Sequence, residues 1–101
     1  MASRLNLQLL LENLLGSRNV YFQPPESEKM EYPAIVYTLY TIDNLYADNG
    51  VYSSQKYYSV VVIDIDPDSE FIGKVAALPT CRFERHYTSD NLNHWVFSLY
   101  F

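Results

Sequence analysis

Lys56–Asp68 reads KYYSVVVIDIDPD and holds the longest β-branched run in the chain. Val60, Val61, Val62, Ile63 and Ile65 favour an extended backbone, because branched side chains are stiff at χ1 and pack well on a pleat. By alternation, Val60 and Val62 fall on one face and Val61, Ile63 and Ile65 on the other. A strand that is apolar on both faces belongs in the middle of a sheet, with cover on both sides. Asp64 and Asp66 close the run, and Pro67 stops it. The stretch is therefore expected to be the central strand of a small mixed fold.

Working outward on the N-terminal side, Pro33 to Thr41 is again extended, with Ile35, Tyr37 and Leu39 on one face and Val36, Thr38 and Tyr40 on the other. Asp48-Asn49-Gly50 is a strong turn signal, since Asn-Gly suits the positive φ angles of a type I′ turn. With Asn49 and Gly50 as the turn, Leu39 lies opposite Val60 and Tyr37 opposite Val62. This register matches apolar to apolar and favours a long hairpin over an irregular loop that starts at Asp43-Asn44 and folds back. Residues 42–55 would then form a projecting arm carrying Leu45, Tyr46, Val51 and Tyr52, four apolar residues that want cover.

Further upstream, Leu7, Leu10, Leu11, Leu14 and Leu15 repeat at helical spacing and predict a helix over about Arg4–Leu15, with Ser3 as N-cap and Gly16 at C′. Leu5 and Leu9 lie off that stripe. They either widen the buried face or form a second contact surface. Val20-Tyr21-Phe22 is a short strand ended by Pro24 and Pro25. Glu26 to Glu31 is a charged loop.

Beyond the central strand, Asp66-Pro67-Asp68-Ser69-Glu70 reads as a helix start, with Asp66 as N-cap and Pro67 at N1. Phe71, Ile72, Val75, Ala76 and Leu78 give that helix a buried face, and Pro79 follows it. Cys81 to Tyr87 and Asn93 to Phe101 are strands, joined by a turn at Thr88-Ser89-Asp90-Asn91. The whole chain, 1–101, is expected to be one α+β domain. Its order is α-β-β-β-α-β-β, with a mainly antiparallel sheet of about five strands and two helices packed on it.

Composition bounds the function. The 101 residues are 49 % hydrophobic and 16 % aromatic with ten tyrosines, ample for one core and too apolar for a disordered chain. Tyrosine suits half-buried faces and interfaces. A net charge of −5 argues against gripping nucleic acid through its phosphates. No apolar run approaches the ~20 residues of a membrane span. The Leu-rich start carries Asn6, Gln8 and Glu12 and is not a signal peptide, so the chain is expected to be made and kept in a cytoplasm.

Catalytic and metal chemistry find little footing. Asp64, Asp66, Asp68 and Glu70 are the best metal candidate, but they lack the glycine and terminal glutamate of a calcium loop, and capping accounts for Asp66 and Asp68. His86 and His94 lie on neighbouring strands without a cysteine at ligand spacing. Arg82, Glu84 and His86 alternate on one strand face, with Arg85 on the other. The lone Cys81 reads as a small buried apolar residue. No nucleophile elbow or Gly-rich phosphate loop is present. No enzyme activity, cofactor or metal is expected.

Taken together, SRNVYFQPP, KMEYPAIVY, YYSVVVIDIDPDS and LPTCRFERHYTSDNLNHWVFSLYF resemble the small tail-completion proteins of tailed bacteriophages, the tail-terminator or head–tail joining kind. The likeness runs from about Leu7 to Phe101 and rests on the overall pattern of strands and linkers. It implies a virion structural protein, made in the bacterial host cytoplasm, that assembles as a ring, commonly a hexamer, at the head-proximal end of the tail. Such a ring ends tube growth and mediates head–tail joining. The implied partners are copies of itself, the tail-tube protein and head–tail connector proteins, while genomic DNA passes through without specific binding. No catalytic residues carry over. Leu5, Leu9, Leu45, Tyr46, Val51 and Tyr52 are the expected oligomer interface. The alternatives are a head–tail adaptor of the neck, a monomeric binding module that uses tyrosines as stacking platforms, and a small enzyme with a metal at Asp64, Asp66 and Asp68.

Overall fold

A computed structural model describes residues 4–24, 30–47 and 50–101, and for 43–47 and 50–54 the backbone alone. The elements are α1 (Arg4–Leu15), β1 (Val20–Phe22), β2 (Ala34–Ala47), β3 (Gly50–Asp64), α2 (Phe71–Ala76), β4 (Cys81–Ser89) and β5 (Leu92–Tyr100). They form one mixed sheet in the order β1-β2-β3-β5-β4. The β1–β2 pair is parallel and the other three are antiparallel. The expected α+β architecture holds, and the valine-rich stretch is the third of the five strands.

The core explains the order. Leu7, Leu11 and Leu15 of α1 meet Ile35 and Tyr37 of β2, Tyr58, Val60 and Val62 of β3, and Trp95, Phe97 and Leu99 of β5. Cross-strand partners share a face, and Tyr37↔Val60↔Phe97 sits at the centre of this one. Val75 of α2 joins the same core. Both helices therefore lie on one side. The expectation of cover on both faces of the central strand is corrected here: among the described residues no helix covers the Val61 side. The described helices form a single layer on one face of the sheet.

Gly16 acts as read, and the expected turn at Thr88–Asn91 narrows to Asp90-Asn91, since Thr88 and Ser89 stay in β4. Gly16 takes φ +77° at the end of α1, the left-handed position that glycine occupies without strain, and its N–H donates to the Glu12 carbonyl at 2.9 Å. Asp90 and Asn91 have φ of 52° and 64°, so β4 turns into β5 through the two-residue turn whose twist suits a hairpin.

Three expectations are corrected. Tyr37 pairs with Val60, not Val62, and Leu39 with Tyr58, because Gly50 is part of the ladder, paired with Ala47, and not a turn residue. A shift of two leaves every side chain on its original face, so the apolar pattern fits both registers. Next, Asp66-Pro67 does not start a helix. Asp64 Oδ1 accepts the Asp66 N–H at 3.1 Å, Asp66 Oδ1 accepts the Asp68 N–H at 2.9 Å, and Ser69 Oγ accepts the Phe71 N–H at 3.4 Å. These side chains close local turns, and α2 begins only at Phe71. Finally, Leu10 of the predicted stripe is exposed. The Ser3 cap, most of the Glu26–Glu31 loop and the turn residue Asn49 lie outside the described residues.

Candidate functional site

The bare face of the sheet is the candidate site, and two bulges shape it. In β4, Phe83 pairs with Phe97 and Arg85 with Val96, so Glu84 is an extra residue. This overturns the expected alternation. Arg82 (opposite Ser98), Glu84 and Arg85 all come to the bare face, while His86 turns to the helix side opposite Trp95, its ring 5.2 Å from the indole. His86 and His94 are therefore not brought together. His94 stacks on Tyr87 at 4.6 Å, and His86 Nε2 lies 3.1 Å from Asn93 Oδ1.

The second bulge is in β2, between Leu39 and Thr41, and it releases Tyr40. Tyr40 is 71 % exposed, and its ring stands edge-on to Tyr57 at 5.4 Å. Tyr57 in turn meets Tyr100 at 4.8 Å. Three tyrosines from β2, β3 and β5 thus cross the bare face at one end. Between the bulged strands lies a groove of about 300 Å³, with Tyr40 and Tyr57 on one side, Glu84 and Arg85 on the other, and Ser59, Val96 and Ser98 beneath. Ser98 Oγ donates to Glu84 Oε1 at 2.7 Å and fixes that wall. Arg85 leans the other way, its guanidinium carbon 5.7 Å from the Tyr87 ring.

The arrangement offers apolar contact, stacking and a few charged or hydroxyl groups, which is the chemistry of recognition. Burial pushes the Cys81 thiol up, which keeps it protonated and slow as a nucleophile. The carboxylates of Asp64 and Asp66 close backbone turns. Among the described residues, no three of His, Cys, Asp and Glu gather where a metal ion could be held.

The expected contact residues fall in two places. Leu5 and Leu9 lie one turn apart on α1 and are 62 % and 57 % exposed, so they do not widen the buried stripe. Leu45, Tyr46, Val51 and Tyr52 belong to the β2–β3 ladder, with Tyr46 paired to Val51 and Leu45 to Ser53. Their side chains lie outside the described residues. The ladder itself runs on from Thr41↔Tyr57 to Ala47↔Gly50, whereas β5 pairs only as far as Tyr57↔Tyr100, with a last bond from the Phe101 N–H to the Lys56 carbonyl at 3.0 Å. Thr41–Ala47 and Gly50–Lys56 form a two-stranded ribbon, and among the described residues no third strand flanks it.

Sequence reading missed the Tyr40–Tyr57–Tyr100 row and the Glu84–Ser98 link. One signal was available for the latter. Glu84-Arg85-His86 places three polar residues in succession in a strand, and a break in alternation marks a bulge.

No described helix is long and apolar enough to cross a membrane. Compared with protein-family models, curated proteins and solved structures, the chain matches none.

Proposed function

We propose that this chain is a structural subunit of a tailed-phage virion, a tail-completion protein. It forms a ring at the head-proximal end of the tail, ends growth of the tube and joins tail to head. The observation that carries the reading is the β2–β3 ribbon. A two-stranded ribbon is marginal in water by itself, and this one continues past the sheet with no third strand beside it among the described residues. Such an element gains its stability from a partner. The exposed Leu5 and Leu9 and the tyrosine-lined sheet face add apolar surface of the same kind. The net charge of −5 suits a passage that lets DNA slide without holding it.

The test is the mass of the purified protein across concentration, by native mass spectrometry with light scattering, alone and with tail-tube protein. A closed ring, formed alone or on adding tube protein, is the expected result. A chain that stays monomeric with tube and connector proteins present would overturn the assembly reading in favour of a monomeric binding module. Tyr46→Ser with Tyr52→Ser should weaken assembly and leave the monomer folded.

A further inference from the structure

We propose that the outer leucine stripe of α1 docks in the groove on the bare sheet face of a second copy of this chain. This rests on the self-assembly reading above and names the contact that would carry it.

The two surfaces lie on opposite layers of one molecule. α1 buries Leu7, Leu11 and Leu15 and turns Leu5 and Leu9 outward. Its outer side is thus a second apolar stripe with nothing on it among the described residues. The sheet has the matching defect. Its helix-free side presents Tyr40 and Tyr57 in a concave groove with the buried Val96 beneath them, and an apolar sheet face is normally covered by a helix. A helix about 10 Å wide spans roughly two strand spacings, the separation of Tyr57 on β3 from Glu84 and Arg85 on β4.

Charge agrees with the fit. The bare face carries Arg82 and Arg85 against Glu84, a local positive excess in a chain of net charge −5. One acid, Glu12, borders the outer leucines of α1. It lies three residues beyond Leu9 and seven beyond Leu5, and is bonded to Gln8 at 2.9 Å on its own helix. With the leucines in the groove, Glu12 of one copy comes to the Arg85 side of the next. Because helix side meets sheet side, the contact is head-to-tail. It leaves a free helix stripe at one end and a free groove at the other, so copies add until a ring closes or a filament grows.

Disulfide trapping tests it. Leu9→Cys and Tyr40→Cys are each made in a Cys81→Ser background, at two exposed positions where the fold is not at stake. The variants are mixed and oxidised with a copper catalyst, which accumulates even transient encounters. A disulfide joining one Leu9→Cys chain to one Tyr40→Cys chain, well above either homodimer, is the expected result. Glu12→Arg and Arg85→Glu should each weaken self-association, by about tenfold for a desolvated pair, and restore it together. Ring assembly without the 9–40 disulfide overturns this contact and leaves the assembly reading standing. A 9–9 disulfide instead shows a symmetric helix contact and overturns it too. Neither ring nor disulfide overturns both.

Discussion

Glu84 is the extra residue of the β4 bulge, and its carboxylate accepts the Ser98 hydroxyl at 2.7 Å across the strand pair. The bond explains why Ser98 is tolerated at 6 % exposure in the middle of β5, since a buried hydroxyl needs a partner. It also holds the bulge that brings Arg82, Glu84 and Arg85 to one face.

Ser98→Ala removes that partner from an exposed carboxylate, which water can then solvate. The expected loss is about 1 kcal/mol in denaturant unfolding. Deleting Glu84 is the more telling change. Phe83 and Arg85 would then be neighbours in a regular strand, still opposite Phe97 and Val96, so the protein should fold with a small change in stability. The groove would lose one wall, and self-association should fall. Unfolding of the deletion variant would mean that the sheet needs the bulge for its twist.

Tyr37 anchors the helix layer to the sheet. Its ring is fully buried, and its hydroxyl donates to Gln8 Oε1 and accepts from Arg4 Nη1 at 3.1 Å. Gln8 Nε2 donates to the Val20 carbonyl at 2.9 Å, tying α1 to β1 as well. Tyr37→Phe keeps the packing and strips the donor from the Gln8 carbonyl. Leaving such a group unpaired costs about 1–3 kcal/mol. Chemical denaturation should show a lower midpoint with an unchanged slope. An unchanged midpoint would mean that water replaces the phenol.

Gly73 sits inside α2, and a methyl group placed there meets nothing within 4 Å. Its φ is an ordinary helical one, so the glycine serves neither a turn nor a close approach. Gly73→Ala should stabilise the fold by about 0.5–1 kcal/mol, through the smaller conformational freedom lost by alanine. Thermal unfolding reads it as a raised midpoint.

The contrast between these sites shows what the sequence could disclose. The leucine spacing of α1, Gly16 at its end and the alternation of Trp95, Phe97 and Leu99 are local patterns with one physical solution, and the fold follows from them. Asp66 is different, because a helix N-cap and a local turn use the same carboxylate-to-backbone bond, and only the tertiary fold chooses between them. The β2–β3 register has two solutions that bury the same faces. The groove was the least legible, because it depends on Tyr40 and Glu84 each being an extra residue in its strand. Leu5 and Leu9 were legible as off-stripe leucines, but their exposure is a property of the folded chain.

Alkaline pH should expose the cost of burying Tyr58. The residue is 2 % exposed beneath the helix layer, and burial holds its phenol above the ordinary value near 10, with nearby Tyr37 raising it further and Arg4 lowering it. A phenol that ionises less readily when folded contributes stability that is fully present below the unfolded value. Above about pH 10 the unfolded chain sheds the proton while the folded chain keeps it, and stability falls by up to about 1.4 kcal/mol per pH unit until the folded value is passed. Tyr58→Phe removes this proton from both states. The denaturation midpoint of the parent should therefore drop between pH 9 and about 11 more steeply than that of Tyr58→Phe. Parallel slopes for the two proteins would place the alkaline sensitivity in other groups.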